Sequence, residues 1–407
     1  MLKQFLPQKR IFYLNDRHEE ADTAKEDRRK LYDKRILPLL SEGNLTVFAE
    51  KINPFLWNYY KNLGLATIKE ADIFYQENYL DYPSLTKALL ENETLIKSLK
   101  KRRVDLFSPY IESFDSEILA KKISAPLLRK AKIVDWLNNK SNYRQVIQNL
   151  GFPVIPGYLA KNFKTAKRYF KKLKNQGFKK IVLKKERSVA GFGVFIAKNE
   201  KELEKTIKNK FSKGESFLVE GFIEKIILRP NIQYWIGKEG IEFITLTDQI
   251  IGKDMVSYQG SQFPSKLTEM PKVHRKIEDL SLEFCQFLKE KRCYGLVGMD
   301  WLVAKNGQIY STEANIRWNA STFCQLIAEE LLKDKKVFWK SFSIIVNPIS
   351  FEDLFQKSNK YFIIPKNRFG IFPAGIDLLP VLGEGQFLAI GRNFNEVNKY
   401  VRNCWRL

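Results

Sequence analysis

Short apolar runs that fit β-strands alternate with stretches of helical period in the N-terminal part of the chain. The runs Ile11–Leu14, Leu45–Phe48 and Ile73–Tyr75 predict three strands. Between the second and third runs, Asn53 followed by Pro54 predicts the start of a helix, because asparagine caps helices and proline fits the first helical position. Strands that alternate with helices indicate an open α/β layer.

Further along the chain, residues 85–101 and 271–291 have the apolar period of helices. The pattern between them predicts a strand at Lys180–Lys184, a glycine-bearing loop at Ser188–Gly193 and a return strand at Val194–Ala197. Loop amides beside a lysine that leaves a strand suit a phosphate, although a glycine loop between two strands is more often an ordinary turn.

The segment Gly295–Arg317 predicts a β-hairpin. Two runs of alternating apolar residues flank Asn306 and Gly307, the pair that best tolerates the positive φ angles of a two-residue type I′ turn. If these two residues form the loop, Asp300 faces Glu313 across the two strands.

Alternation along these strands separates a polar face from an apolar face. The polar face comprises Asp300, Ser311, Glu313, Asn315 and Arg317, and the apolar face comprises Val297, Met299, Trp301, Val303 and Tyr310. Opposed carboxylates repel each other unless a cation lies between them, and such oxygen ligands suit Mg²⁺ or Mn²⁺. A solvated hairpin face, with Arg317 as the partner of the acids, is the alternative that the segment alone leaves open.

Composition indicates a folded protein of two or three domains, since 407 residues with 44% hydrophobic content can bury several cores. The longest apolar stretches are far too short to cross a bilayer, and the first ten residues lack an apolar signal core. We therefore expect a cytoplasmic protein without a membrane partner. The four cysteines lack close CxxC spacing, so we expect buried, reduced thiols.

The net charge of +23 would favour a polyanion such as nucleic acid. The basic residues are mostly lysines spread over every segment, whereas a nucleic-acid surface more often interleaves arginine with aromatic residues in one block. We therefore favour solvated lysine-rich faces. Only two histidines are present, and the HExxH, GxSxG, HRD and P-loop motifs are missing from the sequence, which excludes much hydrolase and kinase chemistry.

With these residues identified, the stretch from about Asn138 to about Glu330 resembles the ATP-grasp superfamily of carboxylate–amine ligases. Lys140 and Lys184 resemble the two phosphate-contacting lysines of the family. The lid loop of the family corresponds to Ser188, Gly191 and Gly193, and the segment that receives the adenine corresponds to Glu220, Phe222 and Ile223. Asp300, Glu313 and Asn315 match the metal ligands, and Arg317 matches the basic residue at the transferring phosphoryl group.

Three positions depart from the family pattern. Lys185 stands where a proline usually follows the second lysine, and the lid loop has only two glycines. The frequent Asn-Pro-Arg sequence is here Asn315-Ile316-Arg317.

A narrower resemblance extends over most of the chain and points to the group that contains the peptide ligase of pheganomycin biosynthesis. Its looser motifs are Tyr32–Arg35, Tyr59-Tyr60, Asp81–Lys87, Arg229–Gln233, Thr247–Gln249 and Tyr258–Gly260. This narrower resemblance concerns the substrate class and not the fold.

The resemblance implies an α/β (α+β) protein with the ATP-grasp fold, in which an N-terminal open α/β domain (residues 1–137) precedes a lid subdomain (138–222) and a metal-binding subdomain with a C-terminal extension (223–407). It implies an ATP-dependent ligase that uses one or two Mg²⁺ (or Mn²⁺) ions and joins a carboxylate to an amine of an amino acid or peptide, with Lys184 and Arg317 as catalytic residues. The rival hypothesis is a catalytically inactive module of the same fold that binds an acidic peptide or another polyanion. The oligomeric state stays open.

Overall fold

A parallel sheet forms the N-terminal part of the molecule. The structure is a computed structural model that describes residues 10–17, 32–188, 193–333 and 336–404. Its first sheet has the order β3-β2-β1-β4, with every pair of neighbours parallel. The strands are β1 (Ile11–Leu14), β2 (Leu45–Phe48), β3 (Ile73–Tyr75) and β4 (Leu106–Pro109). The first three coincide with the predicted strands, so the open α/β layer is confirmed.

Helices α1 (Pro54–Asn62), α2 (Leu85–Leu90), α3 (Glu93–Lys101), α4 (Phe114–Ile123) and α5 (Ala131–Leu137) accompany this sheet. The Asn53 side chain accepts a hydrogen bond from Leu56 N at 3.1 Å, as its predicted capping role requires. The single helix predicted over residues 85–101 is wrong. Asn92 interrupts it, because its side chain accepts from Leu95 N at 3.0 Å and so starts a second helix.

The second sheet is antiparallel and small, with the order β5-β8-β6-β7. Its strands are β5 (Gly157–Ala160), β6 (Ile181–Lys185), β7 (Val194–Ala197) and β8 (Phe217–Gly221), and helices α6 (Lys140–Asn149), α7 (Phe163–Asn175) and α8 (Glu200–Lys210) belong to the same part of the chain. Lys184 lies opposite Leu218 on one side and Val194 on the other. The predicted strand therefore forms an inner strand of this sheet, and the predicted return strand forms an edge strand.

The third sheet is the largest, with nine strands in the order β14-β13-β10-β11-β12-β15-β17-β16 and β9 paired to β13. The strands are β9 (Ile226–Leu228), β10 (Pro230–Ile236), β11 (Ile241–Ile251), β12 (Tyr258–Phe263), β13 (Gly295–Ala304), β14 (Ile309–Asn315), β15 (Phe338–Ile345), β16 (Gly370–Gly375) and β17 (Glu384–Gly391). The helices of this part are α9 (Pro271–Glu290), α10 (Ala320–Leu332), α11 (Phe351–Ser358), α12 (Leu379–Leu382) and α13 (Phe394–Cys404).

The predicted hairpin is formed by β13 and β14, but its turn differs from the predicted one. Ala304 N donates to Gln308 O at 2.8 Å and Gly307 N donates to Ala304 O at 2.9 Å, which leaves three residues in the loop. Gly307 has a φ of +82°, whereas Asn306 is not among the described residues with positive φ. The two-residue type I′ turn is therefore wrong, and the geometry is that of a three-residue loop closed by a glycine bulge.

A β-bulge next to the acids offsets the extra loop residue, so that Asp300 and Glu313 pair as predicted. Asp300 pairs with Glu313 as predicted, but the following residue, Trp301, pairs with Ser311, so Thr312 is the extra residue. One consequence corrects the predicted faces. Ser311 shares the core side with Trp301, where its hydroxyl bonds the buried Tyr143 hydroxyl, and so it does not join the polar face.

The N-terminal part packs against the C-terminal extension through one continuous apolar core. Tyr59 OH donates to Ile363 O at 2.8 Å, and Tyr60 OH donates to Pro373 O at 2.7 Å. The four cysteines are unpaired and buried, which agrees with the sequence. Within the described ranges, no helix combines the length and apolar character that a membrane crossing needs.

Candidate nucleotide and metal site

A cavity of about 450 Å³ opens where the three sheets meet. Strand β6 contributes Lys184, the β13–β14 hairpin contributes Asp300 and Glu313, and the loop after β4 contributes Tyr110. Of the site residues predicted from the sequence, those that line this cavity are Lys140, Lys184, Ser188, Glu220, Phe222, Ile223, Asp300, Glu313, Asn315 and Arg317. The fold therefore brings together residues that are up to 177 positions apart in sequence, since 317 − 140 = 177.

Asp300 is held at the cavity wall by two amides. Asn231 Nδ2, on the neighbouring strand β10, donates to Asp300 Oδ1 at 2.6 Å, and Asn315 Nδ2 donates to Asp300 Oδ2 at 3.1 Å. Gln233 supports Asn231 in turn, because its Nε2 donates to Asn231 Oδ1 at 2.6 Å. This buried chain of amides fixes the carboxylate in one orientation.

The two acids of the hairpin differ in charge balance. Burial, followed by the negative charge of Glu313, raises the pKa of Asp300 to about 7. Burial also acts to raise the pKa of Glu313, but Lys140, Arg317 and Lys184 outweigh it and lower that pKa below its ordinary value. The ionised form of Glu313 is therefore favoured, whereas burial and the charge of Glu313 disfavour the ionised form of Asp300 more than Arg317 favours it.

Lys140 links the start of helix α6 to the hairpin. Its Nζ lies 3.0 Å from Glu313 Oε2 and donates to Ser188 O at 2.7 Å. The Asn139 side chain caps the helix and so fixes the position of this lysine, which is only 7% exposed. Lys140 therefore links the loop that follows β6 of the small sheet to β14 of the large sheet.

Glu220 on β8 is shared between two cations. Lys184 Nζ lies 2.7 Å from Glu220 Oε2, and Arg144 Nη1 donates to Glu220 Oε1 at 2.6 Å. Arg144 also donates to Ile155 O at 2.6 Å. The lysine and the acid, predicted as separate nucleotide contacts, therefore touch each other in the structure.

Apolar side chains surround the segment predicted to receive the adenine. Phe222 and Ile223 follow β8, and Ile155, Val182 and Val194 complete the apolar lining nearby. Phe222 N is anchored by Lys180 O at 3.0 Å. A flat base would find apolar contact on these residues.

Arg317 follows β14 and lies along the polar face. Its Nη2 donates to Asn315 Oδ1 at 2.8 Å, its Nη1 donates to Trp318 O at 3.0 Å, and its guanidinium lies 5.6 Å from the centre of the Tyr110 ring. These contacts hold the cation beside the acid pair.

The lid loop is described only at its ends. Gly191 lies outside the described residues. Gly193 packs directly on Ser188, because a Cβ built at Gly193 would lie 2.4 Å from Ser188 Cβ. A side chain at position 193 would therefore force the two ends of the loop apart.

The donor set fits a divalent ion of the magnesium type. Asp300, Glu313 and Asn315 offer hard oxygen ligands on one face, and Asp300 is a buried carboxylate that lacks a cationic partner among its described hydrogen bonds. Within the described ranges, no three His, Cys, Asp or Glu residues are grouped so that they could hold a metal ion, and the Asn315 amide offers the third oxygen on this face. That oxygen at present accepts from Arg317.

Three residues of the site were not predicted as site residues from the sequence. Asn231 and Gln233 alternate on β10 between apolar residues, and this alternation was a visible signal of a polar face. Arg144 carried no such signal, because its contact with Glu220 depends on how α6 packs against the small sheet.

Comparison with known proteins supports the same fold. Residues 137–321 match the family model described as an ATP-grasp domain. A [butirosin acyl-carrier protein]–L-glutamate ligase of Niallia circulans is 26% identical over 225 residues, which are 53% of this chain and 52% of that protein. The chain thus spans about half the length of the curated relative that it matches.

Two solved structures are similar over nearly the whole chain. N5-carboxyaminoimidazole ribonucleotide synthetase of Thermus thermophilus has a TM-score of 0.60 at 14% identity, covering 98% of both chains. Biotin carboxylase of Campylobacter jejuni has a TM-score of 0.61 at 15% identity, covering 97% of this chain and 90% of that one. The predicted ATP-grasp resemblance and the mixed α/β fold class are confirmed, whereas the narrower pheganomycin resemblance stays a prediction.

Proposed function

We propose that this chain, which contains an ATP-grasp domain, is an ATP-dependent ligase that joins a carboxylate to an amine of an amino acid or peptide and releases ADP and phosphate. The observation that carries the proposal is the pairing of the buried Asp300 with Glu313, which line one cavity together with Lys140, Lys184 and Arg317. The relative from Niallia circulans, whose name describes the ligation of L-glutamate to an acyl-carrier protein, supports the reaction class.

The proposed reaction has two steps. A carboxylate oxygen attacks the γ-phosphorus of ATP, the bond to ADP breaks, and an acyl phosphate forms. The amine nitrogen then attacks the acyl carbon, the bond to phosphate breaks, and the amine loses a proton as the amide forms. Such phosphoryl transfer depends mainly on positioning and on neutralising charge.

Each residue has a role in this proposal. Asp300, Glu313 and Asn315 would hold Mg²⁺, which supplies positive charge to the phosphate oxygens. Lys140 and Lys184 neutralise the other phosphates, and Arg317 meets the transferring group. The remaining nucleotide contacts are proposed at Ser188, Gly191, Gly193, Glu220, Phe222 and Ile223.

The test is ADP release from ATP with pooled amino acids and peptides, followed by mass spectrometry of the product. We expect release that depends on both an acid and an amine, and its loss in Glu313→Ala. Glu283→Gln is the matched control, because Glu283 is an exposed acid on α9 that lies outside the cavity lining.

The rival hypothesis, an inactive binding module, predicts a different result. It would bind polyanions with an affinity that falls steeply with salt and does not respond to ATP. Absence of any stimulated ADP release, together with such binding, would replace the ligase proposal. The presence of all three proposed metal ligands favours the ligase.

We also propose the division into domains at residues 138 and 223. The three sheets, which lie within residues 11–109, 157–221 and 226–391, support these boundaries.

A further inference from the structure

One part of the cavity wall has no role in the nucleotide site. It comprises Tyr32, Arg35, Glu384 and Gln386, and we call it the Arg35 wall. Glu384 and Gln386 are two positions apart on β17, so their side chains project from the same face of the strand. Tyr32 OH donates to Glu384, and Arg35 Nη2 donates to Gln386 Oε1 at 2.7 Å.

Arg35 is a buried cation that has no carboxylate partner among the described residues. It is 7% exposed, and its hydrogen bond to Gln386 is the only one its guanidinium makes within the described ranges. Its Nε has no hydrogen-bond acceptor among the described residues. No carboxylate of the described chain forms an ion pair with it, although burial of such a charge is unfavourable without one.

Aromatic rings hold the guanidinium but do not neutralise it. Its central carbon lies 5.5 Å from the centre of the Tyr32 ring and 5.7 Å from that of Phe323. Cation–π contacts of this kind offset only part of the cost of burial. An anion that entered from the cavity would neutralise this charge.

The Arg35 wall lies close to the proposed reaction centre. Phe323, which Arg35 contacts, stacks on Trp318 with ring centres 5.3 Å apart, and Trp318 directly follows Arg317. A substrate in this cavity can therefore contact Arg35 with one group while another group lies beside Arg317.

We propose that the Arg35 wall binds a carboxylate of a substrate, and that this carboxylate is not the one that becomes joined to the amine. The inference deepens the proposed ligase function and rests on it. The reacting carboxylate has to lie at Arg317, beside the phosphate, so the group at Arg35 is a second one. The planar guanidinium fork matches two carboxylate oxygens.

The negative charge of Glu384 favours a singly charged anion over a doubly charged one. The Glu384 carboxylate accepts from Tyr32 OH on the same wall and would repel a doubly charged phosphate more strongly than a singly charged carboxylate. The bound carboxylate comes either from the amine substrate or from a second carboxyl group of the acid substrate. The structure of the product distinguishes these two sources.

The experiment compares substrates that keep the free carboxylate with their carboxamides. Once mass spectrometry has identified a product, the carboxyl group that stays free in it is replaced by a carboxamide in the corresponding substrate. For the wild type we expect the KM of that substrate to rise roughly 10- to 100-fold, the scale of a lost charged hydrogen bond, while kcat changes less than about threefold. In Arg35→Met the KM should be raised already, and the acid and the amide should no longer differ.

Two further variants separate binding from folding. Arg392→Met is the matched control, because Arg392 is an exposed arginine paired with Glu396 at 3.1 Å, outside the cavity lining. Gln386→Glu places a carboxylate beside Arg35 Nη2, so we expect a higher melting temperature and a higher KM for the free acid. A merely structural Arg35 would give the higher melting temperature with an unchanged KM, and that result overturns the proposal. A fall in kcat at unchanged KM in Arg35→Met also overturns it, because Arg35 would then act on the reacting carboxylate.

Binding is measured independently of turnover through the melting temperature with a pool of the twenty standard L-amino acids, with their α-carboxamides and with inorganic phosphate. Stabilisation of the wild type by the acids alone, lost in Arg35→Met, supports the carboxylate site even if ADP release fails and the ligase proposal falls. Equal stabilisation by acids and amides, no stabilisation by any pool, or an Arg35-dependent response to phosphate alone overturns it.

Discussion

Two buried arginines of the N-terminal part, Arg129 and Arg35, contact the large sheet in different ways. Arg129 Nε donates to the buried carboxylate of Glu112 at 2.6 Å, and its Nη1 donates to Leu296 O on β13 at 2.8 Å. Arg35 is buried to the same degree, with exposures of 7% against 6% for Arg129, but its side-chain partner is the neutral Gln386. Burial is therefore equal, and only the charge balance differs.

This difference separates structural charges from charges that await a ligand. Arg129 and Glu112 form an ion pair away from the cavity, whereas in the described part of the chain no carboxylate pairs with Arg35 and no cation donates a hydrogen bond to Asp300. A buried unmatched charge is unfavourable in the free protein, so a bound group that matches it stabilises the complex. Four predictions test this distinction.

The largest effect is expected at Asp300. Asp300→Asn removes the unmatched negative charge while keeping the shape of the side chain, and ATP turnover should fall on the order of 1,000-fold, the scale for losing an electrostatic group at the reacting centre. The unfolding free energy should stay the same or rise, because the repulsion from Glu313 is removed. Turnover and thermal unfolding measured on the same preparation check both parts; retained turnover would contradict the metal assignment.

A substitution in the Arg129–Glu112 ion pair should lower stability and leave turnover unchanged, the opposite of Asp300→Asn. Glu112→Gln leaves Arg129 buried without an anion, and we expect a loss of about 3 kcal/mol in the free energy of unfolding. Turnover per folded molecule should not change, because the pair lies outside the cavity lining. Chemical denaturation measures the loss, with Glu93→Gln as the control, since the exposed Glu93–Lys122 pair should leave the unfolding curve unchanged.

Lys184 tests a charge that is matched within the cavity. In Lys184→Met, Arg144 still neutralises Glu220, so folding should survive, but a phosphate contact is lost. We expect the KM for ATP to rise roughly 10- to 100-fold, as for a lost hydrogen bond to a charged group. Steady-state kinetics against Lys171→Met, which changes an exposed lysine of α7, provide the comparison; an unchanged KM would remove Lys184 from the nucleotide site.

The local sequence pattern predicted those strands and helices that are determined by neighbouring residues. The first three strands of the parallel sheet, the Asn53 cap and the long helix Pro271–Glu290 follow from apolar runs, helical period and helix-start residues. Strand β12 could not be predicted in this way. Its sequence, Tyr-Gln-Gly-Ser-Gln-Phe, has no apolar alternation, and it is a strand because it fills the gap between β11 and β15.

The site was predictable to the extent that it lies on one hairpin. Asp300 and Glu313 were placed opposite each other from an assumed turn, and their pairing is as predicted although the turn is not, because the bulge at Thr312 offsets the longer loop. The contacts of Asn231 and Arg35 depend on which strands become neighbours in the large sheet, and hydrophobic period carries no information about that order.

The smallest effect is expected at Ser311, a neutral matched partner. Its hydroxyl bonds the buried Tyr143 hydroxyl on the core side of the hairpin, so Ser311→Ala should lower the free energy of unfolding by about 1 kcal/mol, the scale of one buried hydrogen bond. Kinetic constants should stay at wild-type values, because the side chain points away from the acid pair. Without the bulge, the predicted register would place Ser311 on the polar face. Ser311→Ala would then change the kinetic constants and leave the free energy of unfolding unchanged. Denaturation and steady-state kinetics on this single variant therefore decide whether the bulge at Thr312 sets the faces of the hairpin in solution.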